Sequence, residues 1–200
     1  MMPIVGEWVL RSACTQLRQW RDEGLPPLRV SVNVSPAQFQ GAGFLAMVER
    51  VLRDTGADPS LVELELTEST LLADPEQARH ALAALKGLGL SVSIDDFGTG
   101  FSSLNYLRHL AVDFLKIDRS FVSEIASSAR DRAVAGAIIH LAEALGIAVV
   151  AEGVETQAQA EFFRGTHCAE LQGYLFCRPL PAAQLREFLG RQRAGAAIPA

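Results

Sequence analysis

Cysteine is scarce. Cys14, Cys168 and Cys177 are the only three in 200 residues, and none stands in Cys-x-x-Cys spacing. That excludes a disulfide framework or a thiolate zinc site and leaves reduced thiols in or near the core. The histidines, His80, His109, His140 and His167, show no ligand spacing and read as surface or edge residues. No apolar run is long enough for a membrane span, because the stretch 133–154 is interrupted by His140, Glu143 and Glu152. A surplus of positive charge is also missing. With 18 Lys and Arg against 23 Asp and Glu, the net charge of -5 argues against a nucleic-acid-coating surface or an anionic-membrane binder. A small anionic ligand would need metal ions or individual basic side chains. No basic start leads into an apolar segment with a cleavage site, so a cytoplasmic location is expected. No Gly-x-Gly-x-x-Gly follows the first strand, which argues against a doubly wound sheet of the nicotinamide- or flavin-dinucleotide-binding kind.

What is present is ample core material, 49% hydrophobic against 20% charged, with no Pro- or Ser-rich stretch to divide it. One domain is expected over residues 1–190, followed by an aperiodic, frayed tail at 191–200. Hydrophobic period and capping residues predict an alternation of helices and strands. Helices are expected over Pro3–Asp22, Phe44–Asp54, Asp74–Lys86, Ser102–His109, Asp131–Leu145, Thr156–Phe163 and Pro181–Leu189. Strands are expected over Leu28–Val34, Leu61–Leu66, Leu90–Asp95, Asp113–Ile117, Ile147–Ala151 and Leu171–Leu175. In the Asp131–Leu145 helix, Val134, Ile138, Leu141 and Leu145 form one apolar stripe. Such alternation implies an α/β fold with parallel strands. Asn33, Glu65, Asp95, Lys116 and Glu152 each fall at or just past a strand's C-terminal end, opposite that strand's branched apolar residues. Polar groups converging from strand ends fit a TIM-type (β/α) barrel better than a doubly wound sheet. The count is about six strands where a barrel has eight.

The most informative segment is Ser93-Ile-Asp-Asp-Phe-Gly-Thr-Gly-Phe-Ser-Ser103. A strand that ends in adjacent carboxylates and a glycine loop is suited to hold hard divalent cations beside a mobile lid. It also reads as an Asp-capped turn. Other candidates carry similar ambiguity: Asn33 as a strand-end turn residue, Glu65 and Glu68 as a helix start, Glu152 and Glu155 as first-turn acids. Lys116 is harder to explain away, since an inward lysine in an apolar strand needs an acidic partner or a ligand.

Six segments in order resemble the EAL domain family of cyclic di-GMP phosphodiesterases. They are Ser31-Val-Asn-Val-Ser-Pro36, Glu65-Leu-Thr-Glu-Ser69, Asp95-Asp-Phe-Gly-Thr-Gly-Phe101, Leu115-Lys-Ile-Asp118, Ala151-Glu-Gly-Val-Glu-Thr156 and Gln172-Gly-Tyr174. The resemblance runs from Gly6-Glu-Trp to Pro179. It implies a modified TIM barrel and metal-dependent hydrolysis of cyclic di-GMP to linear pGpG, with two Mg2+ or Mn2+ ions. It assigns Asn33, Glu65, Asp95 and Asp96 to the metals and Lys116 to the attacking water or the phosphate. Glu152 is assigned to binding or deprotonating water, Glu68 to anchoring the loop after Asp96, and Glu155 and Gln172 to supporting contacts. The metal carboxylates are expected at one mouth, with Lys116 and Glu152 opposite. A homodimer and an upstream sensory domain go with the resemblance.

The chain departs from the family where the signature Glu-Ala-Leu and its following arginine lie upstream of Gly6. The first barrel strands, a metal-binding glutamate and a substrate-contacting arginine are therefore expected to be absent, and hydrolysis by these residues alone to be weak or nil. Glu143-Ala-Leu145 is a decoy on a helix surface. Ala111 replaces the usual proline, and His167-Cys168-Ala169 replaces Gly-Cys-Asp. Two other readings stand beside the enzyme: a catalytically impaired domain that binds cyclic di-GMP or a protein partner, and a non-functional fragment. The strands Leu28–Val34 and Leu171–Leu175 are expected to flank an opening, covered only by the first helix or a second chain.

Overall fold

A computed structural model describes residues 2–99 and 107–193. In chain order the elements are α1 (Met2–Asp22), β1 (Val30–Asn33), α2 (Pro36–Phe39), α3 (Phe44–Thr55), β2 (Val62–Thr67), α4 (Glu68–Ala73), α5 (Pro75–Gly87) and β3 (Ser91–Phe97). After the undescribed residues come β4 (Phe114–Ile117), α6 (Arg119–Ser123), α7 (Ala129–Leu145), β5 (Ala148–Ala151), α8 (Gln157–Arg164), β6 (Cys168–Leu171) and α9 (Ala182–Arg193). All strands are parallel, in the order β1-β2-β3-β4-β5-β6. This is the expected α/β layer of a TIM-type barrel, and among the described residues it is not closed: β1 and β6 form no ladder with each other.

Local chemistry sets the boundaries. Asp74 accepts a hydrogen bond from the Gln77 N–H at 3.0 Å and Pro75 occupies the first turn, which starts α5. Gly56 and Gly146 end α3 and α7 in the left-handed region, with φ of 62° and 70°. Leu64, Leu66, Val92, Ile94, Leu115, Ile117 and Val149 are buried against the helices. The opposite face of the sheet buries polar groups instead: Glu63, Glu65, Ser93 and Lys116. No described helix is long and apolar enough to cross a membrane.

Several boundaries differ from the sequence reading. The last strand lies at Cys168–Leu171 rather than Leu171–Leu175, because the chain turns at Gly173, whose carbonyl accepts from the Phe176 N–H at 3.1 Å. The buried stripe of α7 is Ala135, Ile138, Ile139 and Ala142, with Val134, Leu141 and Leu145 only partly buried beside it. Small residues let the helix lie close to the sheet, and that rotates the stripe. Helix α9 extends to Arg193, past the expected fraying point, and 194–200 lie outside the described residues. Most of the expected Ser102–His109 helix, with the Gly100–Phe101 part of the lid, also lies outside them. All four histidines are exposed, and Glu143 sits on the surface of α7 facing His167 at 3.3 Å.

One side chain spans the concave face. The Arg29 guanidinium meets Glu63 of β2 at 2.9 Å and both carboxylate oxygens of Glu170 on β6 at 2.6 Å, and it lies 4.0 Å over the Phe114 ring of β4. Both sheet edges are thus tied through a single cation, with an aromatic face completing its shell. Helix α1 covers β1 from outside. Removing one partner of a buried ion pair strands the other. Arg29→Met is therefore expected to cost about 3 kcal/mol in urea unfolding, leaving Glu63, 2% exposed, uncompensated. Amide exchange should quicken in β1 and β6 more than in β2 and β3, and adding Glu63→Leu should recover most of the loss.

Candidate metal centre at the strand ends

The parallel register builds the site. Asn33 pairs with Glu65, Glu65 with Ser93, and Thr67 with Asp95, so strand-end side chains of β1, β2 and β3 share one mouth. Pleating alone would send the adjacent Asp95 and Asp96 to opposite faces. The sheet avoids that with a bulge: Ile94 pairs with Leu115 and Phe97 with Ile117, so two residues of β3 face one of β4. Asp96 has φ of 53°, the only positive value at a described non-glycine residue. The result is that one oxygen from each of Asp95, Asp96 and Glu152 lies within 4.8 Å of the others.

Lys116 stands among these acids, not on the side opposite them as the sequence reading expected. Its Nζ is 2.5 Å from Glu65 Oε1, 2.5 Å from Glu152 Oε1 and 3.7 Å from Asp95 Oδ1. The residue is 4% exposed. Burial by itself would lower its pKa, but the hydrogen bonds to Glu152 and Glu65 outweigh that and hold it above an ordinary lysine. Burial pushes the Glu152 carboxyl up, and Lys116 offsets only part of the rise. Asp96 is also raised, first by burial and then by the charges of Asp95 and Asp118. Asp95 Oδ1 is buried without a hydrogen-bond partner, as is the Ser93 hydroxyl on the same strand face.

The remaining predicted residues sit around this cluster. Asn33 is exposed at the end of β1. Glu68 opens α4, and both its carboxylate oxygens are buried without a hydrogen bond among the described residues. It shares a cleft of about 450 Å³ with Thr67, Ser69, Leu72, Ala73, Asp96 and Thr99. Gln172 follows β6 and is exposed, as is Glu155. Two residues carry weight that sequence reasoning did not give them. Asp118 caps α6 through the Ser120 N–H at 3.0 Å and adjoins Asp96. Its spacing of two from Lys116, on the same strand face, was the available signal. Gln159 is buried and accepts from the Glu155 and Thr156 N–H groups at 2.7 and 2.8 Å, which fixes the segment behind Glu152. Its place three residues after Thr156, the spacing of a capping box, was the available signal.

Oxygen donors around a buried carboxylate oxygen that accepts no hydrogen bond fit a hard divalent cation. Lys116→Met removes the cation that the cluster already has. Without added metal this variant is expected to lose about 3–5 kcal/mol of stability, because three carboxylates lose their counter-charge. Millimolar Mn2+ should restore part of the loss in thermal unfolding, and the rescue should vanish when Asp95→Asn is added.

The EAL domain profile matches residues 1–179. The chain is 47% identical over 199 residues to the cyclic di-GMP phosphodiesterase NbdA of Pseudomonas aeruginosa, covering 100% of this chain and 25% of that protein. It thus spans about a quarter of that relative's length. Among solved structures it superposes with a TM-score of 0.87 on the PaMucR phosphodiesterase in complex with c-di-GMP, at 46% identity over 90% of this chain and 73% of that one. The EAL domain of Mycobacterium smegmatis DcpA gives a TM-score of 0.86 at 40% identity, covering 93% of this chain and 84% of that one. With the strand-end acids in register and the profile matched from end to end of the sheet, the chain belongs to the EAL domain family.

Proposed function

We propose that this chain carries a metal-dependent phosphodiesterase site that hydrolyses cyclic di-GMP to linear pGpG, with Mg2+ or Mn2+ as cofactor. The observation that supports it most is the buried Asp95 oxygen without a hydrogen bond, inside a cluster of three carboxylates and beside a buried lysine. Asp95, Asp96 and Glu152 would hold the metal, with Asn33 and Glu65 offering further oxygens from the neighbouring strands. When bound, such an ion polarises the phosphoryl group and eases deprotonation of a water.

The protein's own residues supply the rest. Glu152, made more basic by burial, takes a proton from the attacking water. Lys116 stays charged throughout and offsets negative charge building on the phosphate. The water oxygen bonds to phosphorus and the bond from phosphorus to O3′ breaks. O3′ then takes up a proton, leaving a 3′-hydroxyl and a 5′-phosphate on a linear dinucleotide. Glu68 would anchor the segment after Asp96, a role supported by its lining the same cleft as Asp96 and Thr99. Glu155 and Gln172, exposed just past β5 and β6, would supply supporting contacts. A cytoplasmic location, a homodimer and an attached sensory domain go with this reading.

A second reading, binding without turnover, is favoured by one specific feature. Lys116 already neutralises Glu65 and Glu152 at 2.5 Å each, and so competes with a metal for those acids. The two readings separate in one assay. The 200-residue chain is incubated with cyclic di-GMP and Mn2+, with pGpG followed by chromatography and binding by calorimetry. Metal-dependent pGpG, however slow, that falls at least about a hundredfold in Asp95→Asn is the expected outcome. Saturable binding with no pGpG above that control would assign the chain to the second reading.

A further inference from the structure

The loop after β5 carries Glu152, and the backbone around it is unusually crowded. The Glu152 N–H donates to the Ile117 carbonyl of β4 at 3.2 Å. Two residues on, the Val154 N–H donates to the Gln172 carbonyl at 3.0 Å, and the Val154 carbonyl accepts from the Leu175 N–H at 3.0 Å. Together these bonds extend the sheet past β5 and strap Glu152 to both neighbouring strands. Between the last two bonds lies Gly173. A Cβ placed there would fall 2.1 Å from the Val154 oxygen, 2.3 Å from its nitrogen and 2.7 Å from its carbonyl carbon. All three are backbone atoms, so no side-chain rotation can make room. On the other flank Gly153 has φ of 69°, and a Cβ there would meet Arg119 Cβ at 2.7 Å. The 152–154 segment is thus held between the chain following β4 and the chain following β6.

We propose that Gly173 is a positioning residue for Glu152: its missing side chain lets the turn after β6 close against Val154 and so fixes the carboxylate beside Lys116 and in the acidic cluster. The proposal rests on the metal-site reading only for its functional consequence, since the contact with Lys116 at 2.5 Å is made between protein atoms alone. A residue at 173 with a Cβ must push the strap apart, and Glu152 is the polar side chain at its head. This explains why a glycine stands between Gln172 and Tyr174 in a segment whose backbone does not need a positive φ.

The test is a double-mutant cycle of Gly173→Ala with Glu152→Gln, with Gly136→Ala on α7 as a control in open space. Without metal, the losses in urea unfolding are expected to be non-additive, because Gly173→Ala and Glu152→Gln break the same contact with Lys116. With Mn2+ followed by electron paramagnetic resonance, Gly173→Ala should raise Kd at least about tenfold, as for other groups that orient a ligand. In the Glu152→Gln background it should raise Kd no further. Additive losses in both measurements would reduce Gly173 to a purely structural residue and overturn the proposal. Should wild-type protein bind no Mn2+, the metal reading fails, and the metal-free cycle still decides the role of Gly173. If Gly173→Ala does not fold, wild-type amide exchange decides. Mn2+ should slow exchange at Val154 and Leu175 and do so less in Glu152→Gln, while equal exchange with and without bound Mn2+ would overturn the proposal.

Discussion

A buried ammonium group organises this domain. Lys116 projects from β4 into the concave side of the sheet, where the dielectric is low and an unpaired charge would be costly. Glu65 from β2, Asp95 from β3 and Glu152 from just past β5 turn toward it, so four strands are bound to one geometry by a single charge. The same arrangement gathers carboxylates closely; burial first, and neighbouring carboxylates after it, push the Asp96 and Glu152 carboxyls up. A divalent cation and the lysine answer the same electrostatic demand. That is why acids gathered around the lysine are also suited to receive a divalent cation.

A second cation repeats this logic elsewhere on the same concave face. Arg29 joins Glu63, Phe114 and Glu170, taking in β2, β4 and β6 from the start of β1. The convex face is held by branched apolar packing, which is non-directional and tolerant of small shifts. The concave face is held by directional ion pairs, which fix distances. The two faces divide the labour: apolar burial supplies most of the stability, and the charged interior supplies precision. Past the strand ends, close backbone approaches at Gly153 and Gly173 carry that precision into the loops.

Much of the architecture was legible because strands and helices announce themselves by period. Val32 and Val34, Leu64 and Leu66, and Leu115 and Ile117 alternate with Asn33, Glu65 and Lys116, and the structure places the two sets on opposite faces. The requirement that an inward Lys116 find acids was also legible, since burial of an unpaired cation is so unfavourable. Its partners were not, because strand register sets which carboxylates stand level with it. Helix α7 shows a milder limit: helical period located it, but Ala135 and Ala142 face the sheet because small side chains permit close approach.

The sequence by itself determined the alternation of elements, the parallel sheet, the polar strand ends and the adjacent carboxylates of Asp95 and Asp96. Tertiary structure decided that both of those carboxylates face the same mouth. Strand alternation forbids it, and only the bulge against β4 with a left-handed backbone at Asp96 achieves it. It also decided where β6 ends, because the turn at Gly173 is set by backbone atoms of Val154, nineteen positions earlier in the chain. Local propensity encodes what a segment prefers alone, whereas bulges, register and backbone contacts arise only when distant segments compete for the same space.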